Sequence, residues 1–237
     1  MSNKQIINAQ DLAKLRGANG AVFCDVDGTL SRTNIVEPLI WIKRRILRFP
    51  INYFWLTSLL FLCPYWILLD RFSRSVSNIS IYKQYKNLPV HKIEELTPVY
   101  YQQVFKKRIF KEALEELQIF RENDFRIVLV SGGIGLFLQP LAKELDADCI
   151  AISLKKVNGL FTGEIDGEPL TGRVKADLLK QYAAKNKIDL NISYALGDAI
   201  GDLEMLECVG NPVVVNPDSR LLKHALSKGW KIVYWKV

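Results

Sequence analysis

The 237-residue sequence predicts an α/β fold, a doubly wound Rossmann-like parallel sheet with one inserted helical cap. Three observations predict it. Short runs rich in Val, Ile and Leu lie at residues 21–26, 126–130, 149–153, 192–196 and 212–215, bounded by Gly, Asp, Ser or Asn. Runs of this kind are strands buried on both faces. Helical patterns at 110–123, 135–145, 172–187 and 202–208 separate them, and such alternation implies right-handed crossovers onto a parallel sheet. The third observation is residues 32–108, a stretch between the first two strands far too long for a loop. The expected division is a catalytic core of residues 1–31 and 109–237, with 32–108 as the cap.

Composition agrees with a packed protein, since 49% hydrophobic and 24% charged residues supply a core and exclude disorder as the default. Cys24, Cys63, Cys149 and Cys208 are scattered, without the spacing of a zinc site or the density of a disulfide scaffold. Residues 1–16 lack an apolar run followed by a small-residue cleavage site, so a cytoplasmic location is expected. The net charge of +7 is uneven: residues 31–110 hold 13 Lys and Arg against 4 Asp and Glu. Such a segment fits anionic lipid or an anionic substrate, or is a solvated basic face. Nucleic acid is not the expected partner, because a long uncharged run interrupts the basic residues.

In a doubly wound sheet, ligands bind beyond the carboxyl ends of the strands where strand order reverses. Acidic residues after the first strand and after the strand at 192–196 are therefore expected to meet. The first set is Asp25-Val26-Asp27-Gly28-Thr29-Leu30, with carboxylates one residue apart at a strand tip. Phosphoryl transfer needs a nucleophile, a proton donor for the leaving oxygen and cations for the equatorial oxygens. Asp25 suits the first role and Asp27 the second. Gly28 permits close backbone approach, and Thr29 can hold the turn beside a phosphate. Alone, the motif reads equally as a turn or a helix cap.

A second buried run ends in Ser131-Gly132-Gly133, whose hydroxyl and amides can donate to a phosphate oxygen or simply cap a helix. Lys175 lies near the start of a helix, where an ammonium can bridge nucleophile and phosphate or be an ordinary surface charge. The last set, Gly197-Asp198-Ala199-Ile200-Gly201-Asp202, adds two carboxylates across a turn. Mg2+ takes oxygen ligands and keeps waters, so one or two carboxylates plus phosphate suffice. Asp198 is the expected direct ligand and Asp202 its support; the bland alternative is helix capping.

The order DVDGT, VSGG, Lys175, GDAIGD resembles the haloacid-dehalogenase-like superfamily, nearest its phosphoserine-phosphatase-like branch, which the segments LFTGEIDG and VNPDSRLLKHALSKGW also resemble. The resemblance implies Asp25 as nucleophile and Asp27 as acid and base. It implies Ser131, Gly132 and Lys175 as phosphate ligands, with Thr29 beside them. It also implies Mg2+ held by Asp25, Asp198 and the Asp27 carbonyl, with Asp202 supporting the site. Phosphoserine-specific members carry a cap-side Glu where this chain has Asn34, with Glu37 out of register, and an Asn where it has Gly201. Phosphoserine is therefore not the favoured substrate.

Residues 49–69, FPINYFWLTSLLFLCPYWILL, hold 21 residues without a charge, close to the ~20 needed to span a bilayer. Basic flanks on both sides, Lys43 to Arg48 and Arg71 with Arg74, favour one membrane face over a single crossing. The expected form is a re-entrant hairpin or interfacial helix pair, broken near Pro50 or Pro64. The alternative is a cap that buries these residues internally or in a dimer. Membrane contact favours a lipid phosphate monoester, such as lysophosphatidate, phosphatidate or phosphatidylglycerophosphate, and a peripheral or monotopic place on the cytoplasmic membrane face. The rival readings are a soluble-metabolite phosphatase and a non-catalytic membrane-associated binding module.

Overall fold

The computed structural model describes Ile6 and residues 12–236. Seven strands form one sheet: β1 (Ala21–Cys24), β2 (Arg126–Ile134), β3 (Asp148–Val157), β4 (Leu160–Asp166), β5 (Tyr194–Gly197), β6 (Asn211–Val215) and β7 (Lys231–Val233). Their order is β4-β3-β2-β1-β5-β6-β7, with every neighbouring pair parallel except β3 and β4. All four residues of β1 and of β5 are buried, as helices on both faces of a parallel sheet require. The predicted α/β class holds, and each of the five expected strands is present.

The core helices are α5 (Lys111–Glu122), α6 (Gly135–Leu145), α7 (Arg173–Asn186), α8 (Leu203–Leu206) and α9 (Ser219–Lys228). Helix α5 buries Ala113, Leu117 and Phe120, the one-face spacing of an amphipathic helix. At the start of α9, Asp218 accepts the amides of Arg220 and Leu221 at 2.9 and 2.8 Å, and Gly229 ends the helix at φ +66°.

Strand order reverses at β1, which pairs with β2 on one side and β5 on the other. The Asp25 amide continues this pairing by donating to the Leu196 carbonyl at 2.9 Å. The tips of β1 and β5, carrying Asp25 and Asp198, are thereby adjacent.

Residues 32–108 contain four α-helices: α1 (Val36–Ile46), α2 (Ile51–Phe72), α3 (Arg74–Tyr82) and α4 (Val90–Tyr100). They are tied to the sheet at several points. Tyr82 donates its hydroxyl to the Gly132 carbonyl, and the Ser75 and Thr171 hydroxyls share a 2.6 Å bond. The amide of Val90 reaches Gly159, and Phe161 pairs with Leu88, so the segment before α4 lies against the β3–β4 hairpin.

The chain turns between α1 and α2 near Pro50, as one form of the sequence reading expected. It does not break at Pro64, which sits inside a continuous 22-residue α2. A mid-helix proline removes one bond to the carbonyl four residues back, here that of Leu60, an exposed residue. Within α2 only Trp66 is buried, and Trp55, Leu59, Leu62 and Cys63 are partly buried against the core, so the chain's own core covers one side of the apolar run and leaves the other exposed.

Candidate active site

A cavity of about 510 Å³ opens at the strand tips, lined among others by Asp25, Asp27, Ser131, Lys175, Asp198 and Asp202. Residues separated by up to 177 positions in sequence meet there, because β1, β2 and β5 are neighbours. Asp25, Asp198 and Asp202 each offer a carboxylate oxygen, all within 4.8 Å of one another. Lys175, fixed by α7, is buried between two of them, its Nζ 2.5 Å from Asp25 Oδ1 and 2.6 Å from Asp202 Oδ1.

The remaining predicted residues hold these groups in place. Thr29 is fully buried, and its hydroxyl donates to Asp198 Oδ1 at 3.0 Å, so the side chain read as lying beside a phosphate rests on a carboxylate. Asp27 accepts from the Thr33 hydroxyl at 2.6 Å, and Thr33 in turn shares a 2.6 Å bond with Ser31. Ser131 is fully buried and accepts the Gly133 amide at 2.9 Å, while Gly132 lines the cavity. Gly28 sits at φ +95°, where a Cβ would fall 2.3 Å from Asp198 Oδ2. Only glycine serves there, on both conformational and steric grounds.

Asn34 lines the cavity but spends its side-chain oxygen on the amides of Val36 and Glu37, at 3.0 and 3.2 Å, capping the start of α1. Glu37 is 2.9 Å from Arg108 and is absent from the cavity wall.

Arg74, counted from the sequence only as a flanking charge, is the site residue that reading missed. It lines the cavity from α3, close to Gly201. Burial opposes its charge, but Asp202, Asp25 and Asp198 hold its pKa above the ordinary value. Nothing local in the sequence marks it out. Its role comes from the fold of residues 32–108 over the strand tips.

Burial dominates the electrostatics. It lifts Asp25 to about 8 against the pull of Lys175, and Asp202 and Asp198 lift it further. It lifts Asp198 to about 6, with Asp202 adding to the shift and Thr29 opposing it. Asp27 is raised by burial despite the Thr33 bond. Burial alone would lower Lys175, yet Asp202 and Asp25 outweigh it and keep the ammonium charged. Around the cavity, the five carboxylates at 25, 27, 70, 198 and 202 face the three cations Arg71, Arg74 and Lys175. This surplus negative charge and all-oxygen donor set fit a hard divalent cation such as Mg2+.

A pH dependence follows. Asp25 and Asp198 titrate higher in the folded chain than at their usual 3.8, so between about pH 4 and 8 the folded state binds more protons than the unfolded state. Stability then falls as pH rises through that window. In a chelator, the melting temperature is expected to decline from pH 5 to pH 8, and added Mg2+ to remove most of the decline. A flat or rising profile in the chelator would contradict these assignments.

A sheet whose order reverses at an aspartate-bearing strand, with a lysine and further aspartates gathered at the same tips, defines a class of hydrolase. Residues 22–207 match the family model for haloacid dehalogenase-like hydrolase, and the chain belongs to that family.

Among relatives, it is 32% identical to a phosphoserine phosphatase of Streptococcus thermophilus over 131 residues, 54% of this chain and 61% of that protein. The chain spans about half the length of the curated relatives it matches. Among solved structures, a Bordetella pertussis protein of unknown function superposes with a TM-score of 0.78 at 18% identity, covering 91% of this chain and 98% of that one. A phosphoserine phosphatase, solved as an analogue of its phospho-aspartyl intermediate, gives 0.66 at 18% identity over 91% and 92%. These likenesses establish the common fold.

Proposed function

We propose that the chain is a Mg2+-dependent phosphatase that hydrolyses a phosphate monoester through an aspartyl-phosphate on Asp25. The observation that carries this reading is the convergence of Asp25, Asp198 and Asp202 on one point beside buried Lys175. In this reading Asp25, Asp198 and the Asp27 carbonyl hold the metal, with Asp202 in support. When bound, Mg2+ supplies charge neutralisation to the transferring phosphoryl oxygens.

An Asp25 carboxylate oxygen attacks phosphorus as the ester oxygen departs, taking a proton from Asp27. The raised pKa of Asp27 suits a proton donor. Asp27 then accepts a proton from water as that water attacks the acyl phosphate, which releases inorganic phosphate and restores Asp25. Lys175, Ser131 and Gly132 receive the phosphoryl oxygens, and Thr29 acts by orienting Asp198 through its 3.0 Å bond. Arg74 meets the substrate from the helices of residues 32–108, which serve as the cap.

The substrate is a lipid phosphate rather than phosphoserine in this reading, and the chain works at the cytoplasmic membrane face. Asn34 is engaged in capping α1 and Glu37 in pairing with Arg108, so neither is offered to a substrate amine, and the one carboxylate that the helices of residues 32–108 bring to the cavity, Asp70, lines it together with Arg71 and Arg74. A soluble metabolite phosphatase is the second reading, favoured by the phosphoserine phosphatase relative.

The test is phosphate release from lysophosphatidate, phosphatidate, phosphatidylglycerophosphate, phosphoserine and sugar phosphates, with and without Mg2+. Release that requires Mg2+ and is fastest on a lipid phosphate is expected. Metal-independent release would overturn the mechanism, and exclusive use of soluble compounds would overturn the substrate class.

A further inference from the structure

A second groove, about 680 Å³ in volume, lies between α1 and α2. Its floor is apolar, with Val36, Ile40, Trp41, Cys63, Trp66 and Ile67, and three arginines, Arg44, Arg45 and Arg108, also border it. Four of its wall residues, Asn34, Val36, Trp66 and Ile67, also line the catalytic cavity, so the two spaces adjoin. One ligand can therefore place a phosphate against Lys175 and an apolar tail between α1 and α2. The volume falls within the ~300–1,000 Å³ of small-molecule sites.

The outer side of α2 points to the source of such a ligand. Tyr53, Phe54, Leu60, Phe61, Leu68 and Phe72 are each more than half exposed, and their spacing places them along one side of the helix. Exposed basic residues, Arg44, Arg45, Arg48 and Arg71, stand at the helix ends and along α1, with Asp70 the one acidic residue on α2. Soluble surfaces rarely leave so large an apolar patch uncovered. An apolar face edged by arginines complements an anionic bilayer surface, where the side chains enter the acyl boundary and the guanidinium groups meet headgroup phosphates.

We infer that α2 lies in the surface of an anionic membrane and that the α1–α2 groove receives one acyl chain of a lipid phosphate monoester whose phosphate reaches Lys175. This inference rests on the phosphatase reading for the chemistry and on α1 and α2 alone for the docking. Arg45 shapes the groove wall: its guanidinium stacks 3.4 Å from the Trp41 ring centroid and donates to the Trp41 carbonyl at 3.2 Å. Membrane contact places the groove mouth at the lipid, and the chain slides in without crossing water.

The test has two arms. In the first, the full chain is sedimented with vesicles of phosphatidylcholine alone or mixed with phosphatidylglycerol. Pelleting with the anionic vesicles is expected, and the doubly substituted F54D/F61D chain should partition at least about tenfold less, the scale of one lost aromatic burial. Circular dichroism and melting establish that this variant folds. In the second arm, kcat/KM is measured for lysophosphatidate in vesicles and for soluble glycerol 3-phosphate. The wild-type ratio should favour the acylated substrate, and Ile40→Trp, which fills the groove, should cut that ratio about 10- to 100-fold.

Wild-type protein that stays in the supernatant with anionic vesicles overturns the docking. A dimer in sedimentation equilibrium that buries α2 overturns it as well. An unchanged ratio in Ile40→Trp overturns the acyl groove. Turnover of soluble monoesters alongside these failures leaves the phosphatase reading standing. Pelleting without turnover of any monoester sinks that reading and leaves the membrane surface standing.

Discussion

Replacing Asp25 by asparagine is expected to lower phosphate release on the order of 10⁴-fold or more, the scale seen when an enzyme loses its nucleophile, while the chain stays folded. Asparagine matches the shape of aspartate but cannot form an acyl phosphate. The backbone at this position is held by the Asp25 amide on the Leu196 carbonyl, a bond the substitution leaves intact. In the metal-free fold burial, Asp202 and Asp198 disfavour the charge of this carboxylate and Lys175 favours it, with burial prevailing, while Lys175 keeps Asp202 as a partner when Asp25 is neutralised. Removing that charge should leave the melting temperature in chelator unchanged or higher. The check is steady-state phosphate release beside thermal unfolding of the same preparation. Activity within tenfold of wild type would remove Asp25 from the role given to it.

The second large effect is expected at Lys175. Its ammonium is buried with Asp25 and Asp202 at 2.5 and 2.6 Å, so Lys175→Met leaves two buried carboxylates facing each other without the cation between them. Removing one partner of a buried ion pair costs about 3–5 kcal/mol. Unfolding in urea, without metal, should show a loss of that size. The double variant K175M/D202N should recover most of the stability, because it removes one of the stranded charges, yet it should remain inactive. Recovery of stability without recovery of turnover separates the structural part of the lysine from its part in holding phosphate. A K175M chain as stable as wild type would mean that this ion pair does little for the fold, against the geometry.

The sheet was legible in the sequence because strands buried on both faces are written as uninterrupted Val, Ile and Leu runs. Residues 21–26 and 192–196 are runs of this kind, and the switch-point rule places Asp25 beside Asp198 from the sequence alone. β4 was harder to read as a strand. Its residues, Leu160–Asp166, alternate exposed and buried and carry Glu164 and Asp166, so hydrophobicity alone does not reveal them. The usable signal was Asn158-Gly159, which sit at φ +49° and +75° and make the tight turn joining β3 to β4. The ends of α9 were likewise written in Asp218 and Gly229, at fixed offsets from an amphipathic run.

Arg74 and Thr29 show where reading along the chain stops. Arg74 becomes a cavity residue only because α3 folds over the strand tips, a tertiary event with no local pattern. Thr29 could be read as facing a phosphate because its hydroxyl suits either a phosphate or a carboxylate, and only packing decides between them. Residues 49–69 posed a different difficulty. Their composition fits a buried cap and a membrane-facing helix equally well, and the unbroken α2 divides between them: Trp55, Leu59, Leu62, Cys63 and buried Trp66 pack against the core, while the opposite side stays exposed.

The most direct measurement is to quench the enzyme with acid during turnover of a phosphate monoester in Mg2+, then map the phosphorylated peptide by mass spectrometry. The account predicts an alkali-labile phosphoryl group on Asp25, absent from the Asp25→Asn chain. Turnover with unmodified Asp25, or with the phosphoryl group on any other residue, would contradict it.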